Sequence, residues 1–147
     1  MEKKEFNTII ENIITIKPIL INNLVNPAYN ASLYSTGTIN LLLILDKYHL
    51  LSMSDIGKEL CMPKPNVTAL IDKIISKGLI NRLQDEKDRR VIQIHLTQKG
   101  AESVEEIKNN LKENIKQKLL NLNEEELDLL SFSLRNVKNI LVKIASK

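Results

Sequence analysis

The sequence predicts a mainly α-helical fold carrying one small two-stranded β-hairpin, and three observations predict it. Apolar residues recur at helical spacing through most of the 147 residues. One stretch, Val91–Leu96, instead alternates strictly, with Ile92, Ile94 and Leu96 on one face and Val91, Gln93 and His95 on the other. That is the period of a half-buried strand. Just before it, "DEKDRR" (85–90) supplies a charged turn that would join this strand to a shorter candidate, Leu79–Gln84.

The elements follow in order. Phe6, Ile9, Ile10, Ile13, Ile14, Ile19, Leu20, Ile21 and Leu24 outline a very apolar helix from Glu5 to Leu24, which Pro18 bends or restarts. Asn26–Gly37 reads as a loop, and the short apolar run Thr38–Lys47 as a buried helix. Ser52 is an N-cap, with Asp55 three residues on completing a weak capping box, and Met53, Ile56 and Leu60 share one side of the helix that follows. In the next helix Val67, Leu70, Ile71, Ile74 and Ile75 keep the i, i+3, i+4, i+7, i+8 rule, and Gly78 ends it. After the hairpin, Thr97 caps a helix beginning near Ala101 whose stripe is Val104, Ile107, Leu111, Ile115, Leu119 and Leu122. Asn123 and Glu126 form a second capping box. Beyond them Leu127, Leu130, Leu134, Val137, Leu141 and Ile144 step as a heptad seam does. That seam could pack within one chain, but the equally apolar first helix also needs cover, which favours a homodimer interface.

Composition narrows the function. The chain has 43% hydrophobic and 27% charged residues, as an ordinary globular domain does, and its length suits one domain with a real core. Three Tyr, two Phe and no Trp make base stacking on single strands an unsuitable mode of binding. One cysteine gives neither a disulfide framework nor a metal knuckle, and His49 and His95 lack metal-pair spacing. No Gly-rich phosphate loop or nucleophile elbow is present, so neither an enzyme nor a cofactor is expected. The opening "MEKKEFNTII" does not resemble a secretion signal, and "INLLLIL" is too short to cross a bilayer. A cytoplasmic protein without membrane contact is the expectation. Net charge is only +3, but its distribution is uneven: residues 52–100 carry nine Lys/Arg against six Asp/Glu, and the remainder carries twelve of each.

That basic middle third contains a candidate reading head. Residues Met53–Asp72 resemble the twenty-residue helix–turn–helix module, in which the fifth position is small because the helices cross closely. Gly57 stands there, and Ile56, Leu60, Val67 and Leu70 take its packing positions. The ninth position, usually Gly in left-handed backbone, is Cys61. Either the turn is strained at about 1 kcal/mol or it is longer than in the simplest form. On a helical wheel Pro65, Asn66, Thr68, Ala69, Asp72, Lys73 and Ser76 face away from the core, with Lys64 at the helix start. Small and polar groups suit a major groove. Asn66 could pair with adenine, Thr68 could touch a thymine methyl or a phosphate, Lys73 could reach a phosphate, and Lys64 could add a base or phosphate contact. A plain solvated face would look equally polar, and placement within the module is what favours DNA.

Helix–turn–helix, strand, basic turn and strand together describe a winged helix. The stretch "DEKDRRVIQIHLTQKG" closely resembles the wing signature of the MarR family of transcriptional regulators, at Asp85, Asp88, Arg89, Arg90, Ile94, Leu96, Thr97 and Gly100. "KGLINR" (77–82) also resembles that family's link between recognition helix and wing. The resemblance implies that Arg90 enters the minor groove, that Asp88 orients it, and that Lys87 and Arg89 contact phosphates. A narrow A/T groove concentrates negative potential and attracts a guanidinium.

It further implies a single domain over 1–147, with residues 1–35 and 101–147 as the dimerisation region and 36–100 as the DNA-binding region. The implied function is a homodimeric repressor on a pseudo-palindromic double-stranded DNA operator, responsive to a small-molecule effector whose contact residues the sequence does not identify. A winged-helix module that binds another regulator without DNA is the alternative. Cys61 is better read as a buried structural thiol than as a redox switch, and His95 as a residue on the wing's outward face, solvated or near phosphate.

Overall fold

The computed structural model describes residues 3–25, 34–84 and 90–145. Helix α1 (Lys3–Leu20) runs through Pro18 without breaking and passes directly into a π-helical turn, Ile21–Val25. A proline removes one backbone donor, and widening to π hydrogen bonding three residues later keeps the segment helical. Of the predicted loop 26–37, residues 26–33 lie outside the described ones, and its end, Thr36 and Gly37, belongs to helix α2 (Thr36–Tyr48).

Next come β1 (Leu50–Ser52), α3 (Met53–Glu59), α4 (Lys64–Ser76), β2 (Ile80–Gln84), β3 (Ile92–Leu96), α5 (Gln98–Leu119) and α6 (Glu124–Ala145). The helix after the hairpin thus starts three residues earlier than expected, because Thr97 caps it directly. The Thr97 hydroxyl accepts from Gly100 N at 3.0 Å and donates to the Gly78 carbonyl at 2.7 Å. The box at the head of α6 is reciprocal: Glu126 N donates to Asn123 Oδ1 at 2.9 Å and Asn123 N to Glu126 Oε2 at 3.0 Å.

The sheet has three antiparallel strands in the order β1-β3-β2, rather than the two expected. Leu50, Leu51 and Ser52 pair with His95, Ile94 and Gln93, and Ile80 to Gln84 pair with Leu96 to Ile92. Three residues are too few to show an alternation, so β1 leaves no periodic trace. Its presence corrects the reading of His95. Flanked by Leu50 and Asn81, the imidazole is half-buried, and its Nδ1 is buried with no partner among the described residues.

One core fills the middle of the chain. Ile39, Leu41, Leu42 and Leu45 of α2 meet Ile56, Val67, Ile71, Ile74, Leu79, Ile80, Ile94, Val104 and Ile107. Lys108 of α5 reaches Asp46 of α2 at 2.8 Å, and Asp46, with Glu105 second, holds the Lys108 ammonium above its usual pKa. Burial stops there. No residue of α6 is buried, and in α1 Phe6, Ile9, Ile10, Ile13, Ile14, Ile16 and Ile19 are all exposed. Glu5–Val25, 21 residues with a mean hydropathy of 1.2, also meets the length and composition of a membrane-crossing helix. Only the shorter runs judged one by one fall below that threshold, and an apolar face left open for a second subunit has the same composition.

Candidate nucleic-acid interface

Helices α3 and α4 are joined by a turn whose geometry explains Cys61. Leu60 closes α3. Cys61 N then bonds the Lys58 carbonyl at 3.1 Å and Met62 N bonds the Gly57 carbonyl at 2.9 Å, the paired bonds of a Schellman motif. Such a motif needs left-handed backbone at its pivot, and Cys61 sits at φ 51°. The turn has the standard length, and a non-glycine residue bears the strain. The thiol is exposed, which overturns the buried reading, and it donates weakly to the Lys58 carbonyl at 3.7 Å. The end of α4 repeats the motif with the usual residue. There Gly78 is at φ 72°, Gly78 N bonds the Ile75 carbonyl at 2.8 Å and Leu79 N bonds the Ile74 carbonyl at 3.3 Å.

Gly57 allows the close crossing: a β-carbon there would stand 3.3 Å from the Met62 carbonyl oxygen and 3.5 Å from Val67. At the head of α3, Asp55 N donates to the Ser52 hydroxyl at 3.1 Å, and that hydroxyl donates to the Asp55 carboxylate at 2.6 Å. This bond, with Lys58 second, holds the Asp55 carboxyl below its ordinary pKa.

Helix α4 turns Val67, Ile71 and Ile74 into the core and leaves Lys64, Pro65, Asn66, Ala69, Asp72, Lys73 and Ser76 exposed. Thr68 is half-buried, and its hydroxyl donates to the Lys64 carbonyl at 3.1 Å, leaving its methyl and lone pairs for a ligand. The wheel therefore placed these side chains on the correct face. Asp72 differs from the others because the Arg82 guanidinium of β2 binds its carboxylate at 2.6 Å. Arg82 was noted in sequence only as part of a linking hexapeptide. The available signal was its place in a strand beside a helix carrying one outward acid.

Of the four wing residues, Lys87, Asp88 and Arg89 lie outside the described residues, while Arg90 is exposed at the foot of β3. Arg82 and Arg90 line a groove of about 810 Å³ together with Gly57 and Lys58 of α3, Met62 of the turn, and Lys64 and Thr68 of α4. Four cationic side chains on a concave surface are the chemistry of polyanion capture. Among the described residues no cluster of His, Cys, Asp and Glu could hold a metal.

Fold and groove together define a winged helix-turn-helix protein. Residues 35–92 match the profile of the MarR family. The chain is 29% identical over 110 residues to the HTH-type transcriptional regulator YdgJ of Bacillus subtilis, covering 72% of this chain and 67% of that one. It is 35% identical over 83 residues to the HTH-type transcriptional repressor MdtR of the same organism, covering 56% and 54%. These alignments thus span between about half and two thirds of the curated relatives. Streptococcus pneumoniae FabT, solved in complex with DNA, superposes with a TM-score of 0.65 at 25% identity, covering 97% of this chain and 99% of that one. Residues 35–92 are thus a MarR-type winged-helix region, and the chain is similar over more of its length to HTH-type transcriptional regulators.

Proposed function

We propose that the protein is a homodimeric repressor that reads a pseudo-palindromic operator in double-stranded DNA. The observation that carries this is the shared groove. Lys64 and Thr68 in the first turns of α4 line one cationic concavity with Arg82 and Arg90, where a helix in a major groove and a wing in the adjacent minor groove would both meet one duplex. Lys64, Pro65, Asn66, Thr68, Ala69, Asp72 and Lys73 form the recognition surface, and Lys87, Asp88, Arg89 and Arg90 the wing. FabT in complex with DNA and MdtR's description as a repressor support the reading.

Residues 1–35 and 101–147 serve dimerisation, because the apolar faces of α1 and α6 stay exposed among the described residues, and 36–100 bind DNA. Two-fold symmetry then places half-sites about 10 bp apart. The protein acts in the cytoplasm, without catalysis or membrane contact. A small-molecule effector is the expected input. A cavity of about 540 Å³ between Lys17 of α1, Leu43, Ile44 and Lys47 of α2 and the end of α3 lies between the two regions and suits an amphipathic anion.

The test is to pass sheared genomic DNA over purified protein, sequence what is retained, and titrate the recovered duplex against salt. Nanomolar binding that falls steeply with salt, together with a dimeric solution mass, is the expected result. Retention of no fragment at low ionic strength would leave the protein-binding winged helix as the better reading.

A further inference from the structure

Asp72 is an odd residue for a phosphate-facing surface. It sits on the exposed side of α4, between Ala69 and Lys73, where a lone carboxylate would repel the duplex. One like charge about 4 Å from a phosphate in water opposes binding roughly 5-fold. Its partner is on another element, since Arg82 Nη2 reaches Asp72 Oδ1 at 2.6 Å from β2. Both side chains are well exposed, 40% for Arg82 and 56% for Asp72. An exposed pair contributes little to folding, so stability does not explain it.

What the pair does is bridge the two parts that must grip the same duplex. Asp72 belongs to the recognition helix, Arg82 to the strand that leads into the wing, and Arg82 also lines the cationic groove. A guanidinium carries five N–H donors in a rigid fork. A carboxylate that holds one end of the fork sets the direction of the others.

We infer that Asp72 is a positioning residue for DNA binding: its carboxylate holds Arg82 so that the guanidinium meets a backbone phosphate and the wing keeps its spacing from α4. This rests on the DNA-binding reading above. Asp72 then belongs to the recognition surface through Arg82 rather than through a contact of its own with DNA.

The sign of the effect makes the inference testable. The duplex captured by wild-type protein is titrated by fluorescence anisotropy against wild type, Asp72→Asn, Arg82→Gln, the double variant and Asp72→Glu. Asp72→Asn is expected to weaken binding about 10-fold, although it removes a negative charge from the DNA face. Its plot of log K against log salt should flatten by about 0.9, the value for one lost phosphate contact and the same as for Arg82→Gln. The double variant should bind no worse than the weaker single variant, and Asp72→Glu should stay within about 3-fold of wild type.

Asp72→Asn binding as tightly as wild type or tighter overturns the inference. So does an unchanged salt slope in Asp72→Asn, or losses that multiply in the double variant. Wild-type protein that retains no DNA overturns the DNA-binding reading itself and the inference with it.

Discussion

The centre and the ends of this chain solve the burial problem differently. Between α2 and the start of α5, thirteen hydrophobic residues fall below the surface and all but Ile107 are almost wholly hidden. In α1 and α6 the apolar content is as high, yet Phe6, Ile13, Ile14, Phe132, Val137 and Ile144 face outward. A fully buried Leu, Ile or Phe contributes about 1.5–3 kcal/mol, so the ends leave a large driving force unused within one subunit. The centre is a self-sufficient unit. The ends leave their apolar faces open, as the proposed dimer requires, and such a regulator would make assembly a condition of binding.

Substitutions can separate the two regions. The largest effect is expected from Ile13→Asp combined with Leu134→Asp, which would bury charges in the subunit interface. Sedimentation should then show monomers, and DNA affinity should fall by about 10²–10⁴ as bivalency is lost. The core should still unfold as a cooperative unit.

Gly100→Ala tests the joint between the regions, because a β-carbon at that site would collide with the Leu79 carbonyl oxygen. Overpacking against backbone should cost about 3 kcal/mol, read as a lowered unfolding midpoint in urea. Arg90→Ala touches the centre alone and should weaken DNA binding about 10-fold or more while leaving the dimer intact. Asp88→Ala should follow it if the acid orients the arginine. Cys61→Gly should stabilise the fold by about 1 kcal/mol through relief of left-handed backbone, seen as a raised thermal midpoint.

The smallest effect concerns pH. Asp55 titrates below its ordinary value when folded, so its contribution is present above the usual carboxylate range and is lost as pH falls through the folded pKa. Ser52→Ala should move the Asp55 titration upward, as measured by NMR.

Residues whose environment is set locally were the legible ones. The period of α4 assigned its inner and outer faces, and the three caps at Ser52, Thr97 and Asn123 follow from side chains that bond backbone three residues away. The missing third strand, the half-buried His95 and the exposed Cys61 all depend on what another segment contributes. Leu50–Ser52 pairs with residues more than forty positions distant, and no local pattern encodes such a partner. The Asp72–Arg82 bridge was hidden for the same reason. A wheel shows that Asp72 points outward, but it cannot show which strand approaches it. At Cys61 the spacing argument left a strained turn and a longer one open, the backbone takes the strained form, and the prior that cysteines are buried misled.

The grip that Thr97 keeps on the end of α4 has a mechanical consequence. Its hydroxyl reaches Gly78, its amide reaches the Leu79 carbonyl at 3.0 Å, and Lys99 Nζ holds the Lys77 carbonyl at 2.9 Å. The reading head is thereby bolted to the root of a 22-residue rod, α5. At 1.5 Å per residue that rod is about 33 Å long, so tipping it by about 5° swings one end by about 3 Å relative to the other. A small wedge driven in among the terminal helices needs no contact with DNA to pull two such heads out of step with the duplex.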